Sequence, residues 1–150
     1  MKVVLGCDKA GTEWLPAICE KLTAMGIENE ILYDGTADGC DYTDAAFLVA
    51  ETVSAGKADK GILVCGTGIG MSMAANKVRG IRASVCSDCY SAKMTVVHNN
   101  SNVLCMGARV LGIELGLKIV EEYFSAEFEA GGRHERRVNA IMAKENERGL

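Results

Sequence analysis

The segment Cys65-Gly66-Thr67-Gly68-Ile69-Gly70-Met71-Ser72 sets a thiol beside three glycines at alternate positions. Such glycines let backbone N–H groups turn toward one point, and a helix start behind them adds the positive end of its dipole. The chemistry on offer is an anion held by amides, with a sulfur in reach as nucleophile or general base. Three familiar anion loops do not fit. A P-loop needs GxxxxGK[ST], which is missing. A dinucleotide fingerprint would need a glycine at Met71 and would follow the first strand rather than the third. A cysteine phosphatase would need an arginine at that same Met71. The plain alternative is that Cys65 merely ends a strand and the glycines make a tight turn.

Other polar groups cluster in two places. His98 and Asn99 sit in Val97-His98-Asn99-Asn100-Ser101-Asn102, a run of side chains able to read a polyhydroxy ligand. A structural or solvated histidine is the plain alternative there. Arg133 and Arg137 are four apart and share a helix face, an arrangement suited to a phosphate dianion. The alternative is a solvated face partnered by Glu135. Arg109 is a third cation, after the fifth strand. Two histidines without HxH or HxxxH spacing, and one CxxC at Cys86–Cys89 without a second, give no expectation of a metal site.

These residues must be carried by something. Short apolar runs alternate with amphipathic ones. Strands are predicted over Lys2–Cys7, Glu28–Tyr33, Gly61–Cys65, Ile81–Cys86 and Val103–Met106. Helices are predicted over Glu13–Met25, Thr43–Ser54, Ile69–Lys77, Ser91–Asn99, Leu111–Ser125 and Glu135–Glu147, with a Gly/Asp-rich loop over Asp34–Asp41. This alternation implies a three-layer α/β/α, Rossmann-like domain over residues 1–150: a five-stranded parallel sheet, helices on both faces and a C-terminal helix. In such sheets ligands bind at the carboxyl ends of the strands. There the sequence puts Asp8 and Lys9, the Cys65 loop, and Arg109.

The chain has 150 residues, 49% hydrophobic and 24% charged, as an ordinary globular protein does. A net charge of −4 disfavours nucleic acid as a partner, and no apolar run is long enough to span a membrane. The start has too short an apolar stretch for a signal peptide, so a cytoplasmic protein with reduced thiols is expected. Six of the seven cysteines then read as small buried apolar residues, with Cys65 the exception.

Taken in order, Gly6-Cys7-Asp8, Asp41-Tyr42, the block CGTGIGMSMAANK (65–77), Gly80-Ile81-Arg82-Ala83, His98-Asn99, Gly107-Ala108-Arg109-Val110 and the run Gly132 to Val138 (GRHERRV) resemble one family. It is the ribose-5-phosphate isomerase type B family, which also takes in galactose- and allose-6-phosphate isomerases. The resemblance implies an aldose–ketose isomerase acting on a sugar phosphate through a cis-enediolate, without cofactor or metal, and so a place in the pentose phosphate pathway. It implies that Cys65 moves a proton between C2 and C1, that Gly66, Gly68, Ile69 and Gly70 hold the enediolate oxygens through backbone N–H groups with help from Thr67, and that His98 assists ring opening. It implies that Asp8, Tyr42 and Asn99 bind the sugar, and that Arg133 and Arg137 bind the phosphate with Arg109 nearby. It also implies a homodimer or homotetramer with sites between subunits. Two positions and one loop depart from the family: Lys9 stands where it usually has histidine, Thr43 where it usually has proline, and the loop Asp34–Asp41 differs in composition. All three fall near the substrate, so five- and six-carbon sugars both stay open, as does a non-catalytic sugar-phosphate-binding protein.

Overall fold

The computed structural model describes residues 1–147. Five parallel strands form its sheet: β1 (Lys2–Cys7), β2 (Glu28–Tyr33), β3 (Lys60–Cys65), β4 (Ala83–Val85) and β5 (Val103–Gly107), in the order β2-β1-β3-β5-β4. The helices are α1 (Leu15–Ala24), α2 (Tyr42–Ser54), α3 (Ile69–Ala75), α4 (Cys89–Asn99), α5 (Ile113–Phe124) and α6 (Arg133–Glu147). Parallel strands are buried on both faces, so their side chains alternate between two cores. Val3, Leu5, Ile62, Val64, Leu104 and Met106 point to the face covered by α1, α4 and α5. Val4, Leu63, Cys65, Val103 and Cys105 point to the face covered by α2 and α3. The architecture is the α/β sheet expected from the alternating pattern.

The helices that follow neighbouring strands β1, β3 and β5 therefore lie on alternate faces. β3 has a change of face on each side, which opens the sheet at its carboxyl end. Cys65 occupies that end, in register with Gly107 of β5.

Boundaries shift where side chains take over backbone hydrogen bonds. The expected fourth strand shrinks from Ile81–Cys86 to three residues. The Ile81 N–H closes a turn on Val78 and the Arg82 N–H donates to Asn102 Oδ1 at 2.8 Å, so neither joins a ladder. Asn76 then covers the open side of this edge strand. Its Oδ1 accepts the Ala83 N–H at 2.8 Å and its Nδ2 donates to the Ala83 carbonyl at 2.9 Å. Helix α1 starts late because Pro16 favours the first turn, and a 3-10 turn over Thr12–Trp14 precedes it. Helices α2 and α4 start under side-chain caps, Asp41 and Asp88.

Among the described residues, no helix is long and apolar enough to cross a membrane. All seven cysteines are free. Burial pushes the Cys7 thiol up to about 12 and the Cys86 thiol up to about 11, and it raises those of Cys19 and Cys105 as well. Those four are held as neutral thiols, which suits packing better than reactivity.

Candidate active site

Cys65 is 5% exposed, and its Sγ accepts a hydrogen bond from the Gly68 N–H at 3.1 Å. The loop can double back on the sulfur because Gly68 sits at φ +79°, open to glycine and strained for other residues. It also needs room. A Cβ on Gly68 would stand 3.0 Å from the Met106 carbonyl carbon, and one on Gly107 would stand 2.7 Å from the Thr67 carbonyl carbon. Two glycines, Gly68 in the loop before α3 and Gly107 at the end of β5, thus let the loop fold over the tip of β5. Thr67 and Ile69 are exposed on its rim, and Thr67 Oγ1 accepts the Ile69 N–H at 3.3 Å.

Gly68→Ala should test this packing. Forcing a Cβ into a left-handed conformation costs about 1–3 kcal/mol, and the contact with Met106 displaces the N–H that meets the sulfur. The expected result is a melting temperature lower by several degrees with turnover down at least tenfold. Melting by circular dichroism and steady-state kinetics check it. Unchanged values in both would show that the loop does not depend on this geometry.

Neighbouring elements bring further groups to this edge. The Tyr42 ring, at the start of α2, lies on Gly70, whose Cβ would come within 2.8 Å of its Cε2. The Arg109 guanidinium extends beside Gly66, with Nη1 3.7 Å from where that Cβ would stand. Asp8, after β1, accepts the Ala10 N–H on Oδ1 at 2.9 Å. Its carbonyl backs onto Gly35, where φ is +69° and a Cβ would overlap it at 2.5 Å. Lys9 is exposed there, lining a cleft of about 480 Å³ with Thr12, Glu13, Gly35 and Thr36.

The remaining predicted residues lie elsewhere. Helix α4 leaves the carboxyl edge of the sheet after β4 and ends at His98 and Asn99, just before β5 begins. There the Gly61 N–H, at the start of β3, donates to the Asn102 carbonyl at 2.9 Å. His98 and Asn99 are therefore at the amino edge, roughly 15 Å from the Cys65 loop by the rise of a five-residue strand. Helix α6 runs along the same edge. It starts with Arg133, His134 and Arg137 near His98, and late in its course Glu145 accepts the Gly80 N–H at 3.1 and 3.0 Å on its two oxygens. One chain thus gathers Asp8, Lys9, Tyr42, Cys65, Gly66, Thr67, Gly68, Ile69, Gly70 and Arg109 at one edge. It gathers His98, Asn99, Arg133 and Arg137 at the other.

The arginines at the amino edge are not neutralised. Glu135, the partner considered for them, instead accepts the Gly131 N–H at 2.6 Å. Among the described residues, no carboxylate stands within ion-pair distance of Arg109, Arg133 or Arg137. Three exposed guanidinium groups without a carboxylate suit an anionic ligand.

Two residues at this edge had no assigned role in the sequence. Arg82 Nε donates to the Asn100 carbonyl at 2.8 Å and its Nη1 to the Gly80 carbonyl at 3.2 Å, fixing the end of α4. His134 stacks on His98 across a long stretch of chain. Helical spacing within α6 could show that His134 points inward, but not what it meets.

The ribose/galactose isomerase family model matches residues 3–141. Ribose-5-phosphate isomerase B of Escherichia coli is 46% identical over 149 residues, covering 98% of each chain. The structure of ribose-5-phosphate isomerase B of Clostridium thermocellum superposes with a TM-score of 0.93 at 43% identity, covering 98% of this chain and 99% of the other. That of ribose-5-phosphate isomerase B of Mycoplasma genitalium, with bound ribulose 5-phosphate, gives 0.91 at 37% identity and 97% of each chain. The chain belongs to the ribose/galactose isomerase family and is a sugar-phosphate isomerase of the ribose-5-phosphate isomerase B-like kind.

Proposed function

We propose that the protein interconverts ribose 5-phosphate and ribulose 5-phosphate through a cis-enediolate, with Cys65 as the base. The sulfur takes the proton from C2 of the open-chain aldose. The C–H electron pair becomes the C1–C2 double bond, and the carbonyl π pair moves to O1. The proton then returns to C1 while the O2–H proton passes to O1, so that O2 becomes the ketone oxygen and O1 a hydroxyl. Backbone N–H groups between Gly66 and Gly70 hold the two oxygens as charge develops, with the Thr67 hydroxyl beside them. His98 moves protons during ring opening. Asp8, Tyr42 and Asn99 bind hydroxyls, and Lys9, Arg109, Arg133 and Arg137 bind the phosphate. The reaction relocates one carbon-bound proton and one hydroxyl proton within the sugar and draws on no cofactor.

The observation that carries this reading is the buried sulfur under the Gly68 N–H, at a strand end beside a change of face. It is supported by the names of relatives similar over nearly the whole chain. Because the two groups of residues lie at opposite edges of one sheet, the reading needs a second copy. The Cys65 edge of one protomer meets the His98 edge of its partner, in a homodimer or a pair within a homotetramer.

A coupled assay over four-, five- and six-carbon aldose phosphates tests the substrate. Ribose 5-phosphate should give the highest kcat/KM, by at least tenfold, because hydroxyl contacts discriminate strongly between chain lengths. A preference for a six-carbon aldose phosphate would move the substrate and keep the chemistry. Binding without turnover or proton exchange at C2 would overturn the catalytic reading.

A further inference from the structure

His98, half-buried at the end of α4, and His134, 7% exposed at the start of α6, stack face to face. Their ring centroids are 4.1 Å apart and their planes differ by 8°. Arg133 Nε donates to His134 Nε2 at 3.4 Å. By that hydrogen-bond network Nε2 is an acceptor, and the His134 proton belongs on Nδ1. Glu129 Oε2 is 3.9 Å from the same nitrogen, beyond hydrogen-bond reach. The charged groups facing His134 are thus His98 from α4, Arg133 and Arg137 from α6, and Glu129 from the loop between α5 and α6. Burial holds His134 below the ordinary histidine range; the His98, Arg133 and Arg137 charges push the same way, and Glu129 opposes them.

Ligand atoms of His98, Glu129 and His134 fall within 4.8 Å of one another, which raises the question of a metal. Ring geometry answers it. Imidazole lone pairs lie in the ring plane, and these planes are nearly parallel. An ion about 2.0–2.1 Å from both nitrogens would sit far out of both planes. A flat, neutral ring, by contrast, can cover His98 whether or not His98 carries a proton, whereas two imidazolium rings would repel.

We propose that His134 is a positioning residue whose stacked ring fixes the direction in which His98 presents its free edge to a sugar. The proposal rests on the reading of His98 as the ring-opening group. In that step the anomeric O1–H proton leaves, the C1–O4 bond breaks, O4 takes a proton and C1 becomes the aldehyde. An error of orientation in such a group costs turnover without much cost in binding.

Ring chemistry supplies the discriminating measurement. Ribose 5-phosphate closes to a furanose. Ribulose 5-phosphate cannot, because the oxygen that would close its ring is esterified. Solvent-deuterium incorporation at C1 of ribulose 5-phosphate therefore reports proton transfer alone. His134→Gln should lower kcat for ribose 5-phosphate about tenfold with little change in KM, and leave deuterium incorporation within about twofold. His134→Phe, which keeps a flat ring, should restore the forward reaction. Equal losses in both reactions, no loss in the forward one, or a Phe variant as poor as the Gln variant would each overturn the proposal. His98→Gln separates it from the underlying reading: full ribose 5-phosphate turnover in that variant would remove His98 from ring opening altogether.

Discussion

Cys65→Ser should lose about three orders of magnitude in kcat while KM and the melting temperature change little. General bases contribute roughly 10²–10⁴-fold, and a serine hydroxyl is a far weaker acid than a thiol, so its oxyanion is hardly populated near neutral pH. The fold has little stake in the sulfur as such. Cys65 sits at the rim of the core, and a serine oxygen can still accept the Gly68 N–H that now meets Sγ. Steady-state kinetics on ribose 5-phosphate beside thermal melting would show the split. A serine variant keeping more than a tenth of the turnover would remove Cys65 as the base. The other cysteines supply controls. Cys105, its neighbour within β5, is fully buried and held as a neutral thiol, so Cys105→Ala should move stability more than the chemical step.

The sheet and the carboxyl-edge residues were legible in the sequence because both follow from local rules. Alternation of apolar strands with amphipathic helices names the architecture, and the rule that ligands sit at strand ends points to Asp8, the Cys65 loop and Arg109. Local rules failed where one side chain answers another far away. The fourth strand is short because Asn102 and Asn76 take its backbone groups, a contact with no periodicity to show it. The insertion of β5 between β3 and β4 is likewise a fact of pairing, invisible to pattern. His134 escaped for the same reason. A single inward histidine on a polar helix looks like packing until its neighbour on α4 is known. The resemblance gathered His98, Arg133 and Arg137 with Cys65 as one site; the fold separates them by the length of a strand.

That separation makes the strongest prediction about assembly. Take two inactive variants, Cys65→Ser and the double variant Arg133→Ala/Arg137→Ala. The second removes two charge-assisted contacts to phosphate, each worth roughly 1.5–3 kcal/mol, so it should lose about 10²–10⁴-fold in kcat/KM. Each homo-oligomer should then show under about 1% of wild-type activity. Now produce both chains together with different tags and purify the mixed pair over both. If every site joins the Cys65 edge of one protomer to the arginine edge of its partner, one of the two sites in the mixed pair receives both lesions. The other receives none, and activity returns to about half that of the wild type, with an unchanged KM. If each chain instead completes its own site, every site in the mixed pair is damaged and activity stays near zero. The two outcomes differ by about fiftyfold or more, far outside any variation in expression or folding between the variants. Recovery with wild-type KM would also place both arginines in trans to the sulfur. Arg133 and Arg137, which have no carboxylate within ion-pair distance among the described residues, would then meet their anion on the neighbouring protomer's edge.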